Sequence, residues 1–163
     1  MKRPLLVLFA LLTLACAQAQ SSYVGFHLSA VTSSSGVTPF AEVQVGGPVA
    51  DNVELRLSGV PLVIANFLQV DLLYTRGLSK TLRGYVGGGA DTLPFSFPRA
   101  GLGSAIHATA GIECELGSGI GLFAEAQPTF VLNAPDTDFA DFFGNEGSAT
   151  FFATLALGIN VHF

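Results

Sequence analysis

The sequence predicts an all-β fold: a closed eight-stranded antiparallel up-and-down barrel that crosses a membrane. Three observations predict it. Apolar and polar residues alternate with a period of two through eight short segments, the pattern of strands whose two faces meet different surroundings. Half of the 163 residues are hydrophobic and only 12% are charged, where soluble domains carry roughly 25%. Yet no stretch after residue 20 holds the ~18 consecutive apolar residues of a spanning helix, and none shows a helical period with caps.

Taken in chain order, residues 1–19 read as a cleavable signal peptide and residues 20–163 as the barrel domain. Lys2 and Arg3 make a basic start, Leu5 to Leu14 form an apolar run, and Ala17-Gln18-Ala19 offers the small-x-small pattern of a signal peptidase site. The run falls short of the ~20 residues that a spanning helix needs. A rival reading is processing at Thr13-Leu14-Ala15-Cys16, which loosely resembles a bacterial lipoprotein lipobox and would place a lipid on Cys16. Cleavage after Ala19 shortens the 163-residue chain to 144 residues, a length suited to one domain. It removes two of the seven basic residues and leaves five against twelve acidic ones. That balance excludes nucleic acid as a partner, because neutralising phosphates needs clustered Lys and Arg. Of the two cysteines only Cys114 would remain, so no internal disulfide can form.

The strands are expected at 22–30, 38–47, 52–60, 66–76, 82–91, 105–116, 120–130 and 150–163, each near the ~9–11 residues of a tilted spanning strand. In the first, Val24, Phe26, Leu28 and Ala30 oppose Tyr23, Gly25, His27 and Ser29. The second sets Ala41, Val43 and Val45 against Glu42 and Gln44, and the third Val53, Leu55 and Leu57 against Glu54, Arg56 and Ser58. The fourth opposes Leu68, Val70, Leu72 and Tyr74 to Gln69 and Asp71. The fifth is glycine-rich, with Arg83, Tyr85 and Asp91 on one parity. In the sixth, Ile106, Ala108, Ala110, Ile112 and Cys114 face away from His107, Thr109, Glu113 and Glu115; in the seventh, Ile120, Leu122, Ala124 and Ala126 face away from Phe123, Glu125 and Gln127. The eighth splits into Phe151, Ala153, Leu155, Leu157, Ile159, Val161 and Phe163 against Phe152, Thr154, Ala156, Gly158, Asn160 and His162. Prolines punctuate this parse: Pro48, Pro61, Pro94, Pro98 and Pro135 fall in connections, Pro39 at a strand start and Pro128 near a strand end.

Alternation does not say which face looks inward, since soluble and membrane barrels have opposite rules. The charges decide. Lys80 is the only lysine after the leader and lies in a turn, whereas a wetted surface is rich in Lys and Glu. The polar face is rich in small residues, suited to the crowded inside of eight strands. Its charges have both signs: Glu42, Glu54, Asp71, Glu113 and Glu125 with Arg56 and Arg83. These seven are expected to form a polar network in a filled lumen, because an unpaired buried charge is costly. Connections after even strands are short, while TLPFSFPRAGLGSA and VLNAPDTDFADFFGNEGSA follow odd strands, as in membrane barrels with short periplasmic turns and long external loops.

The alternating final strand with its aromatic end, Leu157, Ile159, Val161 and Phe163, resembles the assembly signal of bacterial outer-membrane barrels. The whole chain after the leader is similar to the small OmpA/OmpX-like class. That resemblance implies the outer membrane of a two-membrane bacterium, outer-membrane lipid and the barrel assembly machinery as partners, and a monomer. It further implies a structural or surface-interaction role, with a protein or surface partner at the loops near 92–104 and 131–149. The alternatives are an exported soluble lipocalin-like ligand-binding barrel and an outer-membrane lipid-modifying enzyme. The last has little to stand on. Lipid A deacylases use a His, a Ser and an acidic residue toward lipid, and the nearest pattern here, His107-Ala108-Thr109, offers Thr and the wrong parity. No catalytic residue, cofactor or metal is assigned. Asp136, Asp138, Asp141 and Glu146 are oxygen ligands suited to calcium, but their spacing fails the EF-hand pattern.

Overall fold

The computed structural model describes residues 22–33, 36–59, 68–93, 103–133 and 151–163. The leader, Cys16 and the acidic segment from Asp136 to Glu146 lie outside the described residues. Eight strands follow in chain order: β1 (Tyr23–Ser33), β2 (Gly36–Ala50), β3 (Val53–Gly59), β4 (Leu68–Gly77), β5 (Leu82–Leu93), β6 (Gly103–Gly117), β7 (Ile120–Asn133) and β8 (Phe151–His162). Each pairs antiparallel with the next, and β8 returns to β1 in unbroken register from Tyr23↔His162 to Thr32↔Ala153. The sheet is a closed up-and-down barrel, so neither terminal strand presents an unpaired edge.

Several strands run longer than the sequence pattern indicates, chiefly at the end away from the short turns. The β1–β2 hairpin continues through Val31↔Thr38 and Thr32↔Val37 to Ser33↔Gly36, where the run of Ser and Gly reads as a loop. Register established lower in the hairpin carries the pairing on, whatever the local propensity. Three prolines are placed differently from expectation, and one of them, Pro128, lies well inside β7 opposite Ala153. Pro39 sits inside β2 opposite Ala30 rather than at its start. Pro48 also lies inside β2, at a register shift against β3, where a bulge tolerates a residue without an N–H. The turns at the other end are tight. Asn52 adopts a φ of 60° after Asp51, and Ser118 and Gly119 have φ values of 58° and 75°, a pair of positive angles suited to the twist of a two-residue hairpin.

The two faces of the sheet are inverted relative to a water-soluble barrel. Val24, Phe26, Leu28, Val70, Leu72, Leu155, Leu157 and Ile159 are all exposed on the outside, Leu157 by 68%. Glu42, Glu54, Arg56, Asp71, Glu113 and Glu125 are buried, Asp71 completely. The soluble alternative, with its apolar core and charged surface, is therefore not the arrangement present.

Candidate functional site

The feature set apart by chemistry is the lumen, which is filled by side chains in three zones. At the end facing the long connections, Val31, Ala105 and Phe152 are buried together, with Phe40 and Val131 packed against them. Below this apolar plug, His27 Nε2 and Ser29 Oγ both donate to Glu42 Oε2 at 2.8 Å, and the His27 ring meets the edge of Phe123.

Arg56 anchors the middle. Its guanidinium donates from Nε to Asp71 Oδ2 at 3.0 Å, and from Nη1 and Nη2 to the two oxygens of Glu125 at 2.5 and 3.2 Å. The flat fork of an arginine suits two carboxylates on opposite walls, and here it ties β3 both to adjacent β4 and to distant β7. Asp71 is held further by His107 Nε2 at 2.5 Å, Gln69 Nε2 at 3.1 Å and Thr109 Oγ1 at 3.2 Å. Glu125 accepts from Tyr85 Oη at 3.0 Å and Gln127 Nε2 at 2.9 Å. Asp91 Oδ1 stands 3.0 Å from His107 Nδ1, within ion-pair range but outside hydrogen-bond alignment.

The zone nearest the short turns is built on Arg83, which joins Glu54 and, at 3.0 Å, Glu113 Oε2. Glu113 also accepts from Asn160 Nδ2 at 2.7 Å and His162 Nε2 at 2.5 Å, and Gln44 Nε2 donates to Asn160 Oδ1 at 2.7 Å. This arginine is 30% exposed, whereas Arg56 is sealed. Glycines make room for the larger groups: a Cβ on Gly46 would strike the Tyr23 ring, and one on Gly111 the Tyr85 ring. Space on one strand is taken up by bulk on the next, as a filled small barrel requires.

All seven charged residues singled out from the sequence thus lie inside, in two separate clusters around Arg56 and Arg83 and a third at Glu42. Sequence reasoning put the three histidines and Tyr85 on the inward parity but did not name them, or Asp91, Gln44, Gln69 and Asn160, as partners in this network. Their inward parity was readable, and a surplus of carboxylates over guanidiniums on that parity was the signal that other donors had to be there. Each of the six buried carboxylates among the described residues faces an arginine or a histidine. His107 has a fully enclosed side chain lodged between two aspartates, where it braces the wall. Among the described residues no group of three or more His, Cys, Asp and Glu is arranged to hold a metal ion. Leu157, Ile159, Val161 and Phe163 line up on the outer face of the last strand and beyond it.

No family model matches the chain, and no curated protein does. Solved structures do. Neisserial surface protein A is similar over 88% of this chain and 96% of that one, with a TM-score of 0.56 and 10% identity. The N-terminal β-barrel domain of Pseudomonas aeruginosa OprF is matched at a TM-score of 0.49 and 21% identity, over 88% of this chain and 99% of that one. Ail, the attachment invasion locus protein of Yersinia pestis, is matched at 0.44 and 11%, over 88% and 97%. The resemblance to small bacterial outer-membrane barrels holds at the level of the fold.

Proposed function

We propose that the protein is a monomeric barrel of the outer membrane of a two-membrane bacterium, with a structural and surface-interaction role and no catalytic one. A single observation carries this reading: a closed sheet exposes its apolar face and seals its ions inside. In water that arrangement would expose far more apolar area than soluble monomers tolerate; in hydrocarbon it satisfies every backbone group and keeps the charges in the lumen or at the ends of the strands. Aromatic residues support it. Phe130 and Phe151 pair at 4.9 Å on the outer face at the long-connection end, and Tyr74 and Phe163 are exposed at the other, in the places of the two interfacial girdles.

The lumen is a strut rather than a pore, because the zones around Phe152, Arg56 and Arg83 occupy it in succession. Recognition then falls to the connections between β5 and β6 and between β7 and β8, with outer-membrane lipid around the wall and the assembly machinery meeting the last strand. Detergent extraction tests the membrane reading. A barrel that folds into micelles with heat-modifiable gel mobility, and that fractionates with the denser envelope membrane, supports it. A stable monomer in detergent-free buffer overturns it.

A further inference from the structure

The outer wall is not uniform. Around β8, β1, β3 and β4 its outward residues are large: Leu155, Leu157, Phe26, Leu28, Leu55 and Leu72. Across the middle of β5, β6 and β7 small residues predominate, Gly84, Gly88, Ala108, Ala110, Ala124 and Ala126, with Val86 and Ile112 standing among them. The result is a depression of about 640 Å³ in the outer face, lined by Ala110, Ala124 and Ala126 and reaching Tyr74 and Arg76 at the short-turn end. Arg76 is exposed and makes no ion pair among the described residues. The acids at the same end, Asp51 in the β2–β3 turn and Glu115 near the end of β6, are not joined to it.

We propose that this depression binds one anionic glycerophospholipid, with an acyl chain along the Ala110–Ala124–Ala126 floor and the phosphate on Arg76. The proposal rests on the membrane reading above and goes beyond it by fixing a site. Its occupant must be apolar over most of the depression and anionic at one end, the polarity of a phospholipid in the leaflet on the short-turn side. A guanidinium without a protein partner at that depth offers paired donors that match phosphate oxygens. A second copy is a poorer occupant. A two-fold contact brings identical patches together, so hollow would face hollow and Arg76 would be brought toward its own counterpart.

The test uses the full barrel refolded into vesicles of phosphatidylethanolamine with phosphatidylglycerol, extracted in mild detergent and weighed by native mass spectrometry. The expected result is one retained phosphatidylglycerol per barrel, reduced about fivefold by Arg76→Gln, the scale of one basic group at a charged membrane surface. Ala124→Phe, which fills the floor, is expected to reduce it likewise, while Lys80→Gln leaves it nearly unchanged. Heat-modifiable mobility checks closure of each variant; should Ala124→Phe fail to close, Arg76→Gln at the strand end still decides. Retention unaffected by Arg76→Gln overturns the site and leaves the membrane reading standing. A dimer mass in place of a lipid adduct, abolished by Ala124→Phe, also overturns it. Failure of the wild-type barrel to insert into any vesicle overturns both.

Discussion

Asp71 and Leu72 are neighbours in the chain and inhabit opposite environments, the first 0% exposed and the second 56%. The same division runs along β3, where Glu54 and Arg56 are buried while Leu55 between them faces out. Inside, each charged group depends on a named partner, so the loss of one strands another. Outside, the apolar side chains are interchangeable, and only their lack of charge matters. The inner face is thus specified by pairing and the outer face by solvent.

The largest way to break that contrast is at Arg56. Arg56→Met keeps much of the length but leaves Asp71 and Glu125 without their shared cation in a sealed lumen. Breaking a buried pair in this manner costs about 3–5 kcal/mol, and urea unfolding in lipid vesicles is expected to show a loss of that size. Converting both acids as well, Asp71→Asn with Glu125→Gln, is expected to recover part of it, because the stranded charges are gone. A triple variant as unstable as the single one would mean that the guanidinium acts by packing alone. The matching test outside is Leu157→Arg. On the membrane reading it puts a charge near mid-wall at a cost of about 2–4 kcal/mol, against almost nothing for Leu157→Val. Equal, small effects for both would place that face in water.

The alternation itself was legible because a strand has a strict period of two and the charges agree with it. Inward and outward faces could be told apart from the near-absence of lysine. Which acid meets which base could not. Arg56 bonds Asp71 across an adjacent pair and Glu125 sixty-nine positions away, and the second contact is set by strand tilt and stagger, which no local pattern encodes. Strand ends were also hidden, since Val31 and Thr32 are ordered by the register of the hairpin rather than by their own preference. The fifth strand was the least readable, and the reason lies in its glycines, which serve neighbouring strands. Gly89 faces the lumen where the His107 ring packs, so its smallness is explained by a residue eighteen positions later.

That glycine gives the finest comparison, because the same substitution can be made on both faces of one strand. A Cβ on Gly89 would meet the Val70 carbonyl oxygen and lie 2.8 Å from His107 Cε1. Backbone cannot yield there without loosening the β4–β5 ladder, and His107 cannot shift without releasing Asp71. Gly89→Ala is therefore expected to cost about 1–3 kcal/mol, as overpacking does elsewhere. At Gly84, on the outer parity, a Cβ would lie 3.1 Å from Leu78 Cδ1, the end of an exposed side chain that can turn aside. Gly84→Ala is expected to stay within about 0.5 kcal/mol, and the restricted unfolded chain offsets part of any strain. Paired urea titrations of the two variants measure the difference directly. If Gly84→Ala proved the more damaging of the two, the outer wall would be packed as tightly as the lumen, and the contrast between a face fixed by partners and a face fixed by solvent would fail.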